Sequence, residues 1–393
     1  MLEEYMLGIG FSEEEIPIIR TIYPANIYTE STLLFNFKNL YNFFRRNGID
    51  NQSFHTIVMT IPSIISTSIE NIKIRIQDLN NFGFNKLDSF KIIKSYPYIL
   101  EISNQKIKNK MDKLHELGFP KNNIIQLVTD YSIIFSLESS SIKKKYLFFV
   151  DYGYSSKQAI DILTKAPSLF DAKIHEIEKH LDAFKDMGFS HFDIIKFTSI
   201  LPELILNPLD LMQKKLHDLL DFGYSEMDII YIIKKVPIIL KERFLEEVNS
   251  RIDCLSSLGF LKNNIITMTC NNPYIFLYSN DNLTNKFMGI QNCHYSVEEA
   301  IEMIQKFPIL FGYDMNSIQE KIEFYHSLEL DQVIVHESYY LFYSLELIQA
   351  RYHYLLSQNE VIDSHNYRNL FLNDLDFSRK YHITREQLLG GVS

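Results

Sequence analysis

Nine positions along the chain, at intervals near 35 residues, carry cationic or imidazole side chains that could bind phosphate groups. Lysine and arginine form charge-assisted hydrogen bonds with phosphate oxygens, and a row of them suits a polyanion such as nucleic acid. Eight of the nine are Lys or Arg, and the exception, His180, follows Lys179. We call the nine positions the basic column: Arg75, Lys110, Lys145, His180, Lys215, Arg251, Lys286, Lys321 and Arg351.

Glycines and prolines that recur at the same period mark the ends of the helices that carry this column. Glycine suits the left-handed backbone conformation that ends a helix, and proline cannot continue a helix interior. Fourteen residues separate each glycine from a proline, except that Ser132 stands in the proline place of one repeat. His294 occupies the glycine place of a further repeat. The glycines are Gly10, Gly48, Gly83, Gly118, Gly153, Gly188, Gly223 and Gly259, and the prolines Pro24, Pro62, Pro97, Pro167, Pro202, Pro237, Pro273 and Pro308.

Capping chemistry follows the glycines. A Ser, Asp or Asn stands two residues after most of them, and an acidic or amide residue follows three positions later, which is typical of a capping box. Ser225 with Asp228 and Ser12 with Glu15 are examples. After each proline, apolar residues at i, i+4 and i+7 form one stripe of a second helix. Each repeat is therefore predicted to be a helical hairpin with a short turn that begins at the proline.

A single hairpin cannot bury its apolar stripe alone, so neighbouring hairpins must stack. The sequence predicts an all-α fold, a right- or left-handed α-solenoid superhelix of about nine to ten repeats of roughly 35 residues. We expect one continuous repeat domain over residues 1–357 and a degenerate tail or cap over residues 358–393.

Two interpretations of the basic column follow from helix geometry. Each cation lies about 60° from the first apolar residue of its helix, at the edge of the core stripe. A lysine there can lay its methylenes on the core and hold its charge in water, which is a purely structural role. Alternatively, the column is a solvent-accessible row that faces a ligand, which is the interpretation we favour. Lysines just before the prolines, such as Lys94 and Lys306, are explained by compensation of the helix dipole.

The distribution of charge along the chain helps to decide which kind of partner the protein binds. The net charge is −10, but residues 71–150 hold 13 Lys/Arg against 7 Asp/Glu. Many acids lie at predicted helix N-termini, where the helix dipole favours them. The favoured hypothesis is a protein that follows duplex DNA along its phosphate backbone; the alternatives are an RNA-binding protein and a protein-interaction solenoid whose acidic surface engages a basic partner.

Catalytic and metal-binding motifs are not apparent. Cys254, Cys270 and Cys293 form no C-x-x-C pair, and no phosphate-binding glycine loop occurs. His175 and His180 are five residues apart, about 140° around a helix, so they cannot share a metal as an i, i+4 pair does. We expect no enzymatic activity, no cofactor and no metal site.

The repeats resemble those of the mitochondrial transcription termination factor (mTERF) family. The likeness rests on the pattern L-x-x-L/F-G-F/Y-S-x-x-[DE]-I-I-x-I-I-x-x-x-P-x-I-L, as in residues 219–240. The resemblance implies a curved helical solenoid with a basic concave groove that binds double-stranded DNA and influences transcription; RNA or a protein is the partner of some members. It implies nucleic-acid contacts for the column and for Lys179, which adjoins it.

Localisation stays open at this point. The acidic start of the chain is unlike a secretory signal or a transit peptide, and no apolar run has the length of a membrane span. A soluble, intracellular monomer with no membrane association is therefore expected. An organelle is implied by the family resemblance alone, whereas the Asn-, Ile- and Lys-rich composition also suits a bacterial or secreted-effector origin.

Overall fold

In the computed structural model, residues 2–23, 28–241, 244–363 and 365–390 are described. Within these ranges the regular structure is entirely helical, as predicted. The chain divides into two compact units, Met1–Leu206 and Asn207–Ser393, which we call unit 1 and unit 2. The predicted boundary after residue 357 stays a prediction.

From Gly48 onward, each repeat has a first α-helix after the glycine position, a 3₁₀ helix, and a second α-helix that leads to the next glycine position. Unit 1 contains α1 Leu2–Gly8, α2 Glu15–Ile22, α3 Glu30–Arg46, α4 Asn51–Thr60, α5 Ile69–Phe82, α6 Lys86–Ser95, α7 Asn104–Glu116, α8 Lys121–Asp130, α9 Ser139–Tyr152, α10 Ser156–Lys165, α11 Ile174–Asp186 and α12 His191–Ile200. Unit 2 contains α13 Leu209–Phe222, α14 Glu226–Lys235, α15 Leu245–Ser257, α16 Lys262–Asn271, α17 Asn280–Gln291, α18 Val297–Lys306, α19 Met315–Ser327, α20 Asp331–His336, α21 Leu345–Ser357, α22 Asp374–Tyr381 and α23 Arg385–Gly390.

The predicted turns at the prolines are 3₁₀ helices. Proline is well placed at their first position because its missing N–H would be unpaired there. Ser132 and Ser338 begin equivalent turns without proline. Pro24 lies outside the described residues. The 3₁₀ helices of the repeats are Pro62–Ser66, Pro97–Leu100, Ser132–Phe135, Pro167–Phe170, Pro202–Leu206, Pro237–Leu240, Pro273–Leu277, Pro308–Gly312 and Ser338–Phe342, and Tyr367–Asn369 lies in the C-terminal segment.

The glycine positions end the second helices in the left-handed conformation, as predicted. All eight glycines of the pattern have φ between 83° and 116°. His294, in the glycine place, has φ 71°, and Glu329, 35 residues later, has φ 56°. The backbone conformation thus persists where the glycine is lost, because the chain must still reverse between consecutive helices.

The capping boxes are confirmed in five repeats, at Asn85, Ser155, Ser190, Ser225 and Ser296. The first repeat differs: its helix begins at Glu15, although the Ser12 N–H still donates to Glu15 Oε2 at 2.8 Å. Pro17 explains the late start. A helix that began at Glu13 would place this proline where an N–H is needed for the Glu13 carbonyl.

The core is formed between stacked hairpins. On α13, Met212 and Leu219 of the predicted stripe are buried. The residue after each pattern glycine is also buried, and it is Phe or Tyr everywhere except at Ile49. Buried hydroxyl pairs join the residue that follows a glycine to the first helix of the next repeat: Tyr224 Oη lies 2.7 Å from Thr269 Oγ1 on α16. These stacked hairpins are an α-solenoid fold, as predicted. No helix in the described ranges has the length and apolarity needed to cross a bilayer.

Candidate nucleic-acid interface

The basic column lies on the second helices, and its charged ends reach into the next repeat. Arg75 Nε donates to the Ile99 carbonyl oxygen at 2.8 Å, and Lys215 Nζ donates to the Ile239 carbonyl oxygen at 2.5 Å. Both acceptors lie in the 3₁₀ helix that follows the next first helix. The same contact recurs, at or just beyond the end of the 3₁₀ helix, from Lys110 to Leu137, Lys145 to Ala172, Arg251 to Tyr278, Lys286 to Tyr313 and Lys321 to Leu341.

Arg351 makes the last contact of this kind. Its Nη1 donates to the carbonyl oxygens of Leu370 and Leu372, at 2.9 and 2.5 Å, and its Nη2 lies 2.7 Å from Asp374 Oδ1. Arg351 is only 1% exposed. The C-terminal segment therefore receives the column cation in the way that a following repeat does, although its sequence departs from the repeat.

The electrostatic reason for these contacts is the open end of each 3₁₀ helix. Carbonyl groups at a helix C-terminus lack intrahelical donors and carry partial negative charge, so a cation there is favourable. Burial opposes the charge. It lowers the pKa of Lys215 to about 8 and also lowers the pKa of Lys110, Lys145 and Lys321. The cations thus exchange hydration for main-chain acceptors, which is a structural function.

The prediction of a solvent-accessible column is wrong for its buried members, Arg75, Lys145, Lys215, Lys321 and Arg351. The edge of the core stripe faces the neighbouring repeat, where unpaired carbonyls attract the charge. Lys110, Arg251 and Lys286 are half-buried on equivalent carbonyls. His180 differs, because its Nδ1 lies 2.7 Å from the Glu176 carbonyl oxygen of its own helix. Its neighbour Lys179 is exposed.

A second set of cations is exposed on the same helices of unit 1, and of these only Lys179 was predicted from the sequence to contact nucleic acid. Lys108 and Lys143 stand ten residues before a glycine, and Lys144 and Lys179 stand nine before one. All four are exposed and none makes an ion pair with a described residue. Lys73 also stands ten residues before a glycine, but its Nζ lies 2.8 Å from Glu70 Oε1. We call Lys108, Lys143, Lys144 and Lys179 the lysine ladder.

One ladder residue, Lys143, borders a cleft between α7 and α9. This cleft has a volume of about 300 Å³ and is lined by Lys113, Lys143, Ser139 and Ser140, among others. The Lys113 amine is held by Glu116 at 2.7 Å. Lysine amines and serine hydroxyls are both groups that bind phosphate oxygens. The surface of α7 and α9 therefore presents solvated donors that the basic column does not.

Some of the other exposed cations are paired with acids. Lys94 lies 2.9 Å from Asp50 and Lys306 lies 2.6 Å from Glu302. In the C-terminal segment, Arg368, Arg379 and Arg385 face Glu337, Asp376 and Asp374 respectively. Such pairing lowers the local positive potential.

In the part of the chain that the structure describes, no group of three His, Cys, Asp or Glu side chains is arranged to hold a metal ion.

Comparison with known families gives one match. The family model mTERF matches residues 35–160 and 212–378, which together are most of the chain. No curated protein sequence was found to match the chain. The unmatched interval 161–211 contains His180, the one column position that lacks Lys or Arg.

Proposed function

Because the chain belongs to the mTERF family, a family of nucleic-acid-binding helical repeat proteins, we propose that it binds double-stranded DNA and thereby influences transcription. The proposed contact is made by the lysine ladder of unit 1 with the phosphate backbone. The supporting observation is that four exposed amines, none of them in an ion pair with a described residue, recur in the repeat frame on α7, α9 and α11.

The spacing of the ladder suits a duplex backbone. Second helices of neighbouring repeats pack about 10 Å apart, so three of them span roughly 20 Å, somewhat more than half a helical turn of DNA. Lysine is a point charge with no fork for bidentate recognition of guanine, so the ladder contacts phosphates and reads few bases. We therefore expect binding to be weakly dependent on sequence and strongly dependent on salt.

The charge of −10 does not prevent this binding, because the potential that acts on a phosphate is local. At physiological ionic strength the Debye length is about 8 Å, so distant carboxylates are screened. Residues 71–150, which hold Lys108, Lys143 and Lys144, carry a formal charge of +6. A protein held on duplex DNA without base readout would act on transcription as an obstacle or as a platform.

The test is a titration of a fluorescent 30-base-pair duplex at several salt concentrations. Four displaced counterions predict a slope of log affinity against log salt of about −3.6, at about 0.9 for each phosphate contact. Replacing Lys108, Lys143, Lys144 and Lys179 by Glu should weaken binding to all duplexes at least about a hundredfold and flatten the slope. The matched control replaces four exposed lysines on first helices of unit 1: Lys91, Lys157, Lys165 and Lys196.

Two outcomes would contradict the proposal. Equal loss in the control variant would mean that binding follows net charge and not the ladder. Tighter binding to duplex or single-stranded RNA than to DNA, with the same dependence on the ladder, would transfer the function to RNA. Lys110→Met and Lys145→Met serve as a further comparison: they should lower the melting temperature and leave the salt slope unchanged, since their amines are held by carbonyls.

A further inference from the structure

Unit 2 exposes large apolar and aromatic side chains on three consecutive 3₁₀ helices. They stand one and four positions after the residue that begins each helix. Tyr274 is 51% exposed, Leu277 42%, Ile309 43%, Tyr339 46% and Phe342 60%. We call these five residues the apolar edge. A groove of about 630 Å³ adjoins the edge, and Ile309, Tyr339 and Phe342 form part of its lining.

The repeat fold does not require apolar side chains at these two positions. The equivalent residues are Ser63 and Ser66 in one repeat of unit 1 and Ser168 and Asp171 in another, and all four are exposed. Among the 3₁₀ helices that the structure describes, only the three of the apolar edge have no Ser, Thr, Asn, Gln or charged residue at either position. Because stacking of the repeats does not explain this exposed apolar surface, we attribute it to an intermolecular contact.

The five side chains lie on neighbouring elements. The Phe342 ring packs edge-on against Phe307 and Tyr313, which flank the middle turn, with centroids 6.5 and 6.0 Å apart. Tyr278, which follows the first turn, lies so close to Gly312 of the middle turn that a Cβ there would collide with its hydroxyl group. The three turns are therefore adjacent, and the apolar edge is one surface.

The charged side chains of the groove lining are paired with each other. Asp374 Oδ1 lies 2.7 Å from Arg351 Nη2, and Asp374 Oδ2 lies 3.3 Å from Arg385 Nη1. The lining thus offers no unpaired charge that would select an acidic or a basic partner. An identical surface, which brings the same paired charges, would meet little electrostatic repulsion.

We propose that the apolar edge is the interface of a closed, twofold-symmetric homodimer. An interface of standard size buries about 800 Å² on each partner, and about 65% of a homodimer interface is apolar, so each copy must supply about 520 Å² of apolar surface. The five side chains expose on the order of 500 Å², given their exposed fractions and side-chain areas of roughly 150–250 Å² each. The edge therefore has the area that one side of a stable dimer needs.

Twofold symmetry follows from the surface itself. In a twofold interface the same patch serves both copies, whereas contact with a different surface would be head-to-tail and would grow into open assemblies. The exposed Phe342 ring stands beside an apolar groove, so each ring can enter the groove of the other copy. This proposal departs from the monomer expected from the sequence, because the apolar edge is formed only when the turns stack.

The test is sedimentation of the full chain over a range of concentrations, from about 0.1 to 100 μM. The mass of one copy is 46.3 kDa, and the measured mass should rise to twice this value with a dissociation constant at or below about 10 μM. Raising the salt from about 0.1 to 0.5 M should not weaken the dimer, since apolar contacts are not screened by ions. Hydrogen exchange should slow on dimerisation at residues 308–313 and 338–347.

Variants locate the interface. Phe342→Ser should raise the dissociation constant of the dimer at least about tenfold, because the loss occurs once in each copy. Tyr274→Ser should act in the same direction, although Tyr274 does not line the groove. The matched control is Phe192→Ser in unit 1, because Phe192 is 73% exposed and lies outside the apolar edge. Melting temperatures measured at about 0.1 μM, where the parent is monomeric, should be alike in all four proteins, since each changed side chain is exposed.

Several results would overturn the proposal. A parent protein that keeps the mass of one copy at about 100 μM would show that the edge binds no second copy. A dimer unaffected by Phe342→Ser and Tyr274→Ser would have its interface elsewhere, and growth beyond two copies would exclude twofold closure. A dimer that salt dissociates would depend on charge. The lysine ladder variant should dimerise as the parent does, so failure of the dimer is distinguishable from failure of DNA binding, which is measured in a separate titration.

Discussion

The Lys215 ammonium lies 2.5 Å from the carbonyl oxygen of Ile239, which belongs to the 3₁₀ helix of the next repeat. The same ammonium lies 3.0 Å from the Lys241 carbonyl oxygen. A single buried cation therefore closes the open end of a helix and fixes one hairpin to the next. Since the contact recurs at every column position except His180, the repeats that carry Lys or Arg there are joined to the next repeat by charge-assisted hydrogen bonds as well as by apolar packing.

Lys215→Met tests the energetic role of this contact. Methionine keeps the unbranched apolar stem and removes the ammonium donor of the Ile239 and Lys241 carbonyl oxygens. The free energy of unfolding should fall by about 2–4 kcal/mol in a urea titration. Lys214→Met is the control, because Lys214 is the exposed neighbour on the same helix, and its replacement should change stability by less than about 0.5 kcal/mol. A stable Lys215→Met protein would mean that apolar packing alone fixes the repeats.

Arg351→Lys tests whether the C-terminal segment depends on the column. Lysine keeps the charge but cannot reach Leu370, Leu372 and Asp374 together, as the guanidinium does. Hydrogen exchange in α22 should accelerate at least about tenfold, while exchange in α13 and α14 stays at the parent rate. The control is Arg379→Lys, because the Arg379 side chain is 70% exposed and its Nη1 lies 3.8 Å from Asp376 Oδ1. Unchanged protection of α22 would contradict the anchoring role.

Much of the fold could be predicted from the sequence because its signals are local. Ser225 and Asp228 lie three residues apart, and their reciprocal hydrogen bonds depend only on the helix they start. The proline-initiated turn and the left-handed residue at His294 follow from equally short-range constraints. Because each local motif recurs in consecutive repeats, its loss in one repeat, such as the missing proline at Ser132, did not obscure the pattern.

The function of the basic column could not be predicted in the same way. The carbonyl oxygen that accepts from Lys110 Nζ lies 27 residues away along the chain, and the one that accepts from Arg75 Nε lies 24 away. Both are main-chain atoms that no residue type marks. The position of the column at the core edge was correctly derived, but whether a charge there turns to solvent or to a carbonyl depends on the stacking of hairpins. Of the lysine ladder, only Lys179 was singled out, although Lys73, Lys108 and Lys143 recur every 35 residues.

Gly223→Ala tests the cost of the left-handed position. Gly223 has φ 105°, which an L-residue rarely adopts, and an added Cβ would lie 2.7 Å from Lys262 Cε. The free energy of unfolding should fall by about 1–3 kcal/mol, measured by thermal or urea denaturation. The reverse change, Glu329→Gly, should stabilise the protein by up to about 1 kcal/mol, because Glu329 holds φ 56° with a side chain. Opposite signs for the two variants are required; a stabilising Gly223→Ala would contradict the account.

The stability of the protein should rise with pH on the alkaline side of neutrality. Burial lowers the pKa of Lys215 to about 8, whereas an unfolded lysine keeps the ordinary value of 10.5. Between these values the unfolded chain binds more protons than the folded one, so the free energy of unfolding increases with pH, by at most about 1.4 kcal/mol per pH unit for this group. Lys110, Lys145 and Lys321, whose pKa values are also lowered, add to the effect. Urea titrations at pH 7.5 and 8.5 should show the increase in the parent and a smaller one in Lys215→Met; above this range the raised pKa values of Cys270 and Cys293 act in the opposite direction. A fall in stability over this range would show that the carbonyl contacts outweigh desolvation and keep the buried ammonium groups charged.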